Sequence, residues 1–167
     1  MLKRTALLVL IASLCWFGVS ASAMALPLNP PIATLFSFSG TRPTNLGLNN
    51  DRLAECPSTP NCVNSFSTDS THAIAPISYA VSPEAAIAKL KQTIESLPRT
   101  KIIKATDNYI YAEFASKIMG FVDDVEFYLD NPANVIQVRS ASRLGESDLG
   151  VNRQRVEAIR AQLKAID

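Results

Sequence analysis

The chain has 167 residues, of which 47% are hydrophobic and 19% charged, enough apolar material for one compact core and too little length for two ordinary domains. Sixteen Lys and Arg residues stand against 15 Asp and Glu, for a formal net charge of +1. So even a balance excludes the global positive field with which proteins gather nucleic acid or acidic lipid, and no nucleic-acid partner is expected.

Residues 1–25 read as a Sec-type signal peptide. Lys3 and Arg4 form a basic start, Thr5 to Val19 an apolar run, and Ala21, Ala23 and Ala25 supply the small residues for cleavage after Ala25 or, next best, after Ala23. The run is shorter than the roughly 20 residues that span a bilayer comfortably, so no retained transmembrane helix is expected. Bulky Leu14 before Cys15 argues against a lipoprotein acceptor, and the twin arginines of the other export route are absent.

Residues 26–54 read as an extended arm rich in Pro and Asn. Pro27, Pro30 and Pro31 each fix φ and remove a backbone donor. The stretch from Thr41 to Thr71 continues as a loop, and more than about 25 residues without periodicity is unusual in a compact domain, so something must pin it. Cys56 and Cys62 are the two cysteines beyond the leader. In an exported chain they are most economically a disulfide, worth about 2 kcal/mol in the chain-entropy model for so small a loop. Their spacing is not Cys-x-x-Cys, and the single His leaves a zinc site short of ligands. No metal or cofactor is expected, and His72 reads as a packing residue of the loop.

Residues 55–167 read as a single α+β domain. Ile77 to Val81 predicts a short strand. Ser82 then caps a helix with Pro83 in its first position and Ala86, Ile87, Leu90, Ile94 and Leu97 at helical spacing, until Pro98 ends it. Lys101 to Ala105 is a strand, turned by Thr106, Asp107 and Asn108 into Tyr109 to Phe114. Two more strands follow, joined by Asn131-Pro132-Ala133-Asn134. The last helix runs from near Leu149 to near Ile166 on a stripe of Val156, Ile159, Leu163 and Ile166, with Asp148 as its cap. The order β-α-β-β-β-β-α predicts a mainly antiparallel sheet of four to five strands with both helices on one face.

Alternation gives the sheet two unlike faces. Ile110, Ala112 and Phe114, then Val125, Phe127 and Leu129, then Ile136 and Val138 point to the helices. Opposite them fall Tyr109, Tyr111 and Glu113, then Asp124, Glu126 and Tyr128, then Gln137, Arg139 and Arg143. This second face is acidic, basic and aromatic together, and is expected to stand open.

The run Asn61-Cys62-Val63-Asn64-Ser65, the segment Phe121 to Phe127, and Arg139-Ser140-Ala141-Ser142-Arg143 with Gly145, Asp148, Gly150, Asn152 and Arg153 resemble the domain-of-unknown-function 1499 family. The likeness covers about Leu46 to Leu163. It implies this fold and, for a member with a Sec-type leader, a periplasmic or thylakoid-lumen setting. It brings no established catalytic residue.

Two functions are weighed on these residues. Glu113, Asp124 and Glu126 are the candidates for acid and base in a hydrolase or isomerase, since two close carboxylates drive one pKa up. Cross-strand pairing of the same carboxylates with Arg139 is the more ordinary outcome. The favoured expectation is an exported, non-enzymatic binding or assembly module. Its polar face and Arg-rich loop, through Tyr111, Gln137, Arg139, Arg143, Asp148, Asn152 and Arg153, would meet a membrane-associated protein complex or a small anionic ligand. A helix start with free backbone donors suits an anion. The competing internal arrangement has Asp148 capping the helix, Arg139 on Glu126 or Asp124, and Arg143 on Asp148 or Glu146.

Overall fold

The computed structural model describes residues 38–164. The leader expected over residues 1–25, the first part of the expected arm and the end of the last helix lie outside the described residues. In chain order the elements are β1 (Cys62–Asn64), β2 (Ile77–Ser78), α1 (Pro83–Ser96), β3 (Thr100–Ala105), β4 (Tyr109–Ala115), β5 (Val122–Asp130), β6 (Val135–Ser142) and α2 (Val151–Lys164).

Local chemistry sets the boundaries. Ser82 Oγ accepts from the Ala85 N–H at 3.3 Å and so satisfies one of the free donors at the start of α1. Leu97 is extended, with ψ 139°, because a residue before proline is driven out of the helical region. Between β5 and β6 one 3-10 turn over Asn131–Ala133 ends at Asn134 in the left-handed region, φ 52°, a conformation that Asn tolerates better than most residues.

One antiparallel sheet has the order β1, β6, β5, β4, β3, with β2 beside β1 along the same edge of β6. Both helices cover one face, as expected of this α+β order. Leu90 and Ile94 of α1 and Val156 and Ile159 of α2 are fully buried against Ile110, Val125, Phe127 and Val138. Each such side chain contributes about 1.5–3 kcal/mol on leaving water.

The structure corrects the expected loop over residues 41–71 and the expected open face. Three residues give no readable period, yet Cys62, Val63 and Asn64 pair with Ala141, Ser140 and Arg139 as an edge strand. The Cys56–Cys62 disulfide is formed, with an S–S bond of 2.07 Å. The strand expected over Ile77 to Val81 pairs only at Ile77 and Ser78. The far side of the sheet is closed rather than open: Leu53 is buried with Tyr109, Tyr111 and Tyr128, and Leu46 and Leu48 pack on the same cluster. The arm is apolar at the positions that meet the tyrosine rings, and removing those rings from water is what draws it down.

Candidate functional site

Alternate residues of the three central strands build the closed face. Glu113 lies opposite Asp124, Tyr111 opposite Glu126, and Glu126 opposite Arg139. Arg143, just past the end of β6, turns back over the same side. Its Nε donates to Asp124 Oδ2 at 2.9 Å and its Nη2 to Asp124 Oδ1 at 2.7 Å. The same Nη2 reaches Glu113 Oε1 and, at 3.1 Å, the Tyr111 hydroxyl. Tyr111 in turn donates to Asp124 Oδ1 at 2.5 Å.

The arm supplies the other half of the cluster. Arg42 donates twice to Glu113 Oε1, from Nε at 2.8 Å and Nη2 at 2.6 Å. The Gly47 N–H donates to Glu126 Oε1 at 2.7 Å, beside the Tyr109 hydroxyl on the same oxygen at 2.7 Å. Gly47 takes a φ of 107°, which only glycine adopts readily, and this turn aims its N–H at the carboxylate. Arg139 Nη1 stands 3.5 Å from Glu126 Oε2, and its buried Nε has no partner.

Burial and pairing move the titrations as expected for such a network. Burial, then the nearby Glu126, pushes the Tyr109 hydroxyl well above its ordinary range. Burial and the hydrogen bond to Asp124 do the same for Tyr111. The hydrogen bonds to Asp124 and Glu113 raise the Arg143 guanidinium, against its burial. For Glu113 burial pushes upward, but hydrogen bonds from Arg143, Arg42 and Tyr111 outweigh it and hold the carboxyl below its ordinary 4.5.

The structure thus brings together Tyr111, Glu113, Asp124, Glu126, Arg139 and Arg143. Gln137 lies on the same side but is spent on Asp130 Oδ2 at 3.1 Å and the Ser65 hydroxyl at 2.7 Å. Asp148, Asn152 and Arg153 do not join the cluster. Asp148 accepts from the Gly150 and Asn152 N–H groups at 3.0 and 2.7 Å, the expected cap. Arg153 donates to the Ala73 and Thr71 carbonyls. The expected pairing of Arg143 with Asp148 or Glu146 is replaced by its grip on Asp124 and Glu113, because two carboxylates with little access to water already wait on the sheet. Asn152 is fully buried and bonds Ser140, Ser142 and the Asn61 carbonyl.

Sequence reasoning missed Arg42 and Gly47 on this face and Arg155 on the other, and it put Tyr109 on this face without a part in the site. Arg155 ion-pairs with Asp123, which also accepts from the Ser142 hydroxyl at 2.5 Å. Strand parity sent Asp123 toward the helices, and a carboxylate on a core-facing position demands a cation there. That was a usable signal for Arg155. Nothing local announced Arg42, which lies 71 positions from Glu113.

Chemically, each carboxylate of the face is engaged by a guanidinium, a phenol or a backbone N–H, and the arm lies over them. His72 is held by Asp69 Oδ1 at 2.9 Å and the Thr59 carbonyl at 3.2 Å, in the loop. Among the described residues no group of three or more His, Cys, Asp or Glu side chains is arranged to hold a metal ion. No curated protein and no solved structure matches the chain. Residues 52–163, well over half of the chain, match the model of the family described as "Protein of unknown function (DUF1499)", and the chain belongs to that family.

Proposed function

We propose that the protein is an exported, non-enzymatic assembly module that docks on a membrane-associated protein complex of a periplasm or thylakoid lumen. The observation that carries this reading is the bridging of Asp124 and Glu113 by Arg143, with Arg42 closing Glu113 from the arm. A general acid or base must reach a substrate proton within hydrogen-bond distance. Here the candidate carboxylates accept from internal donors, Glu113 through Oε1 and Asp124 and Glu126 through both oxygens. A small anionic ligand would have to displace these carboxylates from Arg42, Arg139 or Arg143, which makes that alternative the weaker one. The cluster is better understood as the clamp that fixes the arm to the sheet.

The export half of the reading rests on the sequence of residues 1–25. Intact-mass measurement on protein from its own host tests it, with a mature chain beginning near Leu26 as the expected result. Affinity capture from that compartment, with a tag at the C-terminus, tests the assembly half. A stoichiometric membrane complex is expected with wild type and with Glu113→Gln alike. Turnover of a substrate that Glu113→Gln abolishes, with no complex recovered, would overturn it in favour of a hydrolase or isomerase.

A further inference from the structure

The rest of the chain treats the two edges of the sheet differently. Beyond β1, the Asn64 N–H donates to the His72 carbonyl at 2.8 Å, Asn64 bridges Ala73, and Arg153 reaches over from α2 to the Ala73 and Thr71 carbonyls. Beyond β3 nothing follows. It is the last strand of the order, and among the described residues no backbone bond reaches its outer side. The ladder tells which groups that side carries. The Ala115 N–H donates to the Arg99 carbonyl and the Thr106 N–H to the Tyr109 carbonyl. Alternation in an antiparallel pair then turns the backbone of Lys101 and Lys104 toward β4, and that of Thr100, Ile102 and Ala105 away from it. Each of these three presents one N–H and one C=O beyond the edge.

Such an edge is a template for a further strand, and folds guard it with lysines and bulges. β3 has both: its register shifts between Ile102 and Lys104, and Lys101 and Lys104 are exposed. The guard is selective. In a two-fold pairing of β3 with the β3 of a second copy about the strand centre, Lys101 of one would stand opposite Lys104 of the other, and like charges so placed are destabilising. An acidic strand meets the opposite condition. Neither lysine forms an ion pair among the described residues: Glu113, across from Lys101, is taken by Arg143 and Arg42, and Lys104 lies over the Tyr109 ring at 5.6 Å. Arg99 adds an exposed cation just before the strand, against Asp107 just past its end.

We propose that β3 is a docking edge, and that its occupant is an extended acidic segment of a partner protein, which joins the sheet as a further strand. Main-chain bonds to Thr100, Ile102 and Ala105 supply the attachment, and alternate side chains supply the selection. Lys101 and Lys104 stand on the side of Glu113 and Tyr109, where the segment carries Asp or Glu. Ile102 packs on the core on the helix side, where the segment carries apolar residues. The inference gives the assembly reading its surface, and rests on that reading for a protein partner.

The test uses the protein purified from its host and a blocked peptide of about ten alternating Glu and Val residues, at about 1 mM. Amide exchange at Thr100, Ile102 and Ala105 is expected to slow about tenfold with this peptide and to stay unchanged with its Lys and Val counterpart. Ala105→Pro removes a donor that β4 does not use and sets a ring in the path of the incoming strand, so it is expected to abolish the protection at Thr100 and Ile102 with an unchanged urea midpoint. Lys101→Glu and Lys104→Glu together are expected to reverse the choice of peptide, and about 0.5 M salt to weaken it in both proteins. No added protection at these amides, protection that both peptides give alike, or a double variant that keeps the wild-type choice overturns the inference. So does a concentration-dependent dimer that Ala105→Pro abolishes, which assigns the edge to a second copy. The assembly reading fails separately: peptide binding as expected with no membrane complex recovered counts against that reading alone, whereas a complex that Ala105→Pro recovers as well as wild type, with no peptide protection, overturns this inference alone.

Discussion

Arg143 grips Asp124 through two parallel hydrogen bonds, Nε to Oδ2 and Nη2 to Oδ1, at a carboxylate only 1% exposed. The fork of a guanidinium matches the two oxygens of a carboxylate, and Lys offers no such match. Because the same Nη2 also meets Glu113 and Tyr111, one side chain ties β4, β5 and the loop after β6 together.

Arg143→Ala should therefore behave as loss of a scaffold member. Removing one partner of a buried pair leaves the other charge uncompensated, at a cost of about 3–5 kcal/mol. Arg143→Lys keeps the charge and loses the fork, so its loss should be smaller but clear. Urea midpoints of the three proteins decide the matter. A midpoint for Arg143→Ala equal to wild type would mean that the cluster does not hold the fold.

The sequence carried most of the fold for reasons that particular residues make plain. The spacing of Ala86, Leu90 and Ile94 and the Ser82-Pro83 start are local signals, and the helix forms where they say. Alternation in β5 sorted Phe127 from Tyr128 correctly. Partners separated by long stretches were not legible. Arg42 with Glu113 and Gly47 with Glu126 join a segment of weak pattern to strands 71 and 79 positions away. Parity could say that Glu113, Asp124 and Glu126 share a face, but not that the arm would be laid across it. The same blindness hid β1, whose three residues are a strand only because β6 offers them an edge.

Phe127→Ala should cost more stability than Tyr128→Ala. Phe127 is wholly buried on the helix side, where truncation costs about 3–5 kcal/mol. Tyr128 packs with Leu53 under the arm and is itself 9% exposed, so its loss should be smaller. It should show as faster proteolysis between residues 42 and 54, which are held partly by that ring. Urea midpoints and a time course of limited proteolysis measure the two effects. A larger midpoint loss at Tyr128, with the arm no more cleavable, would reverse the assignment of faces.

Reduction of Cys56–Cys62 should lower stability by about 2 kcal/mol, the chain-entropy value for a loop this short. The bridge ends at Cys62, which is 1% exposed and opens β1. Loss of protection should therefore appear first at the amides of Val63, opposite Ser140 of β6, and of Asn64, which donates to the His72 carbonyl at 2.8 Å. Hydrogen exchange on oxidised and reduced protein reads this directly. Unchanged exchange at Val63 and Asn64 would show that the strand holds without its pin.

The pH dependence should have an acid limb and an alkaline limb with different owners. Glu113 is held below its ordinary 4.5 in the fold, because the hydrogen bonds from Arg143, Arg42 and Tyr111 outweigh burial. The unfolded chain then binds the proton more readily, so the contribution of this carboxylate is present above about pH 4.5 and is lost as pH falls through its folded value. At the other limb, burial raises Tyr109 and Tyr111 far above 10.0, assisted by Glu126 and Asp124. Here the folded state keeps its protons longer than the unfolded chain, so stability is intact below pH 10.0 and declines as pH rises beyond it. Absorbance of tyrosinate should accordingly rise in step with unfolding rather than ahead of it for these two rings. Glu113→Gln should flatten the acid limb and leave the alkaline limb in place, whereas Tyr109→Phe should do the reverse. Urea midpoints collected from acid to alkaline pH test both signs, and an acid limb unchanged by Glu113→Gln would show that another carboxylate owns it.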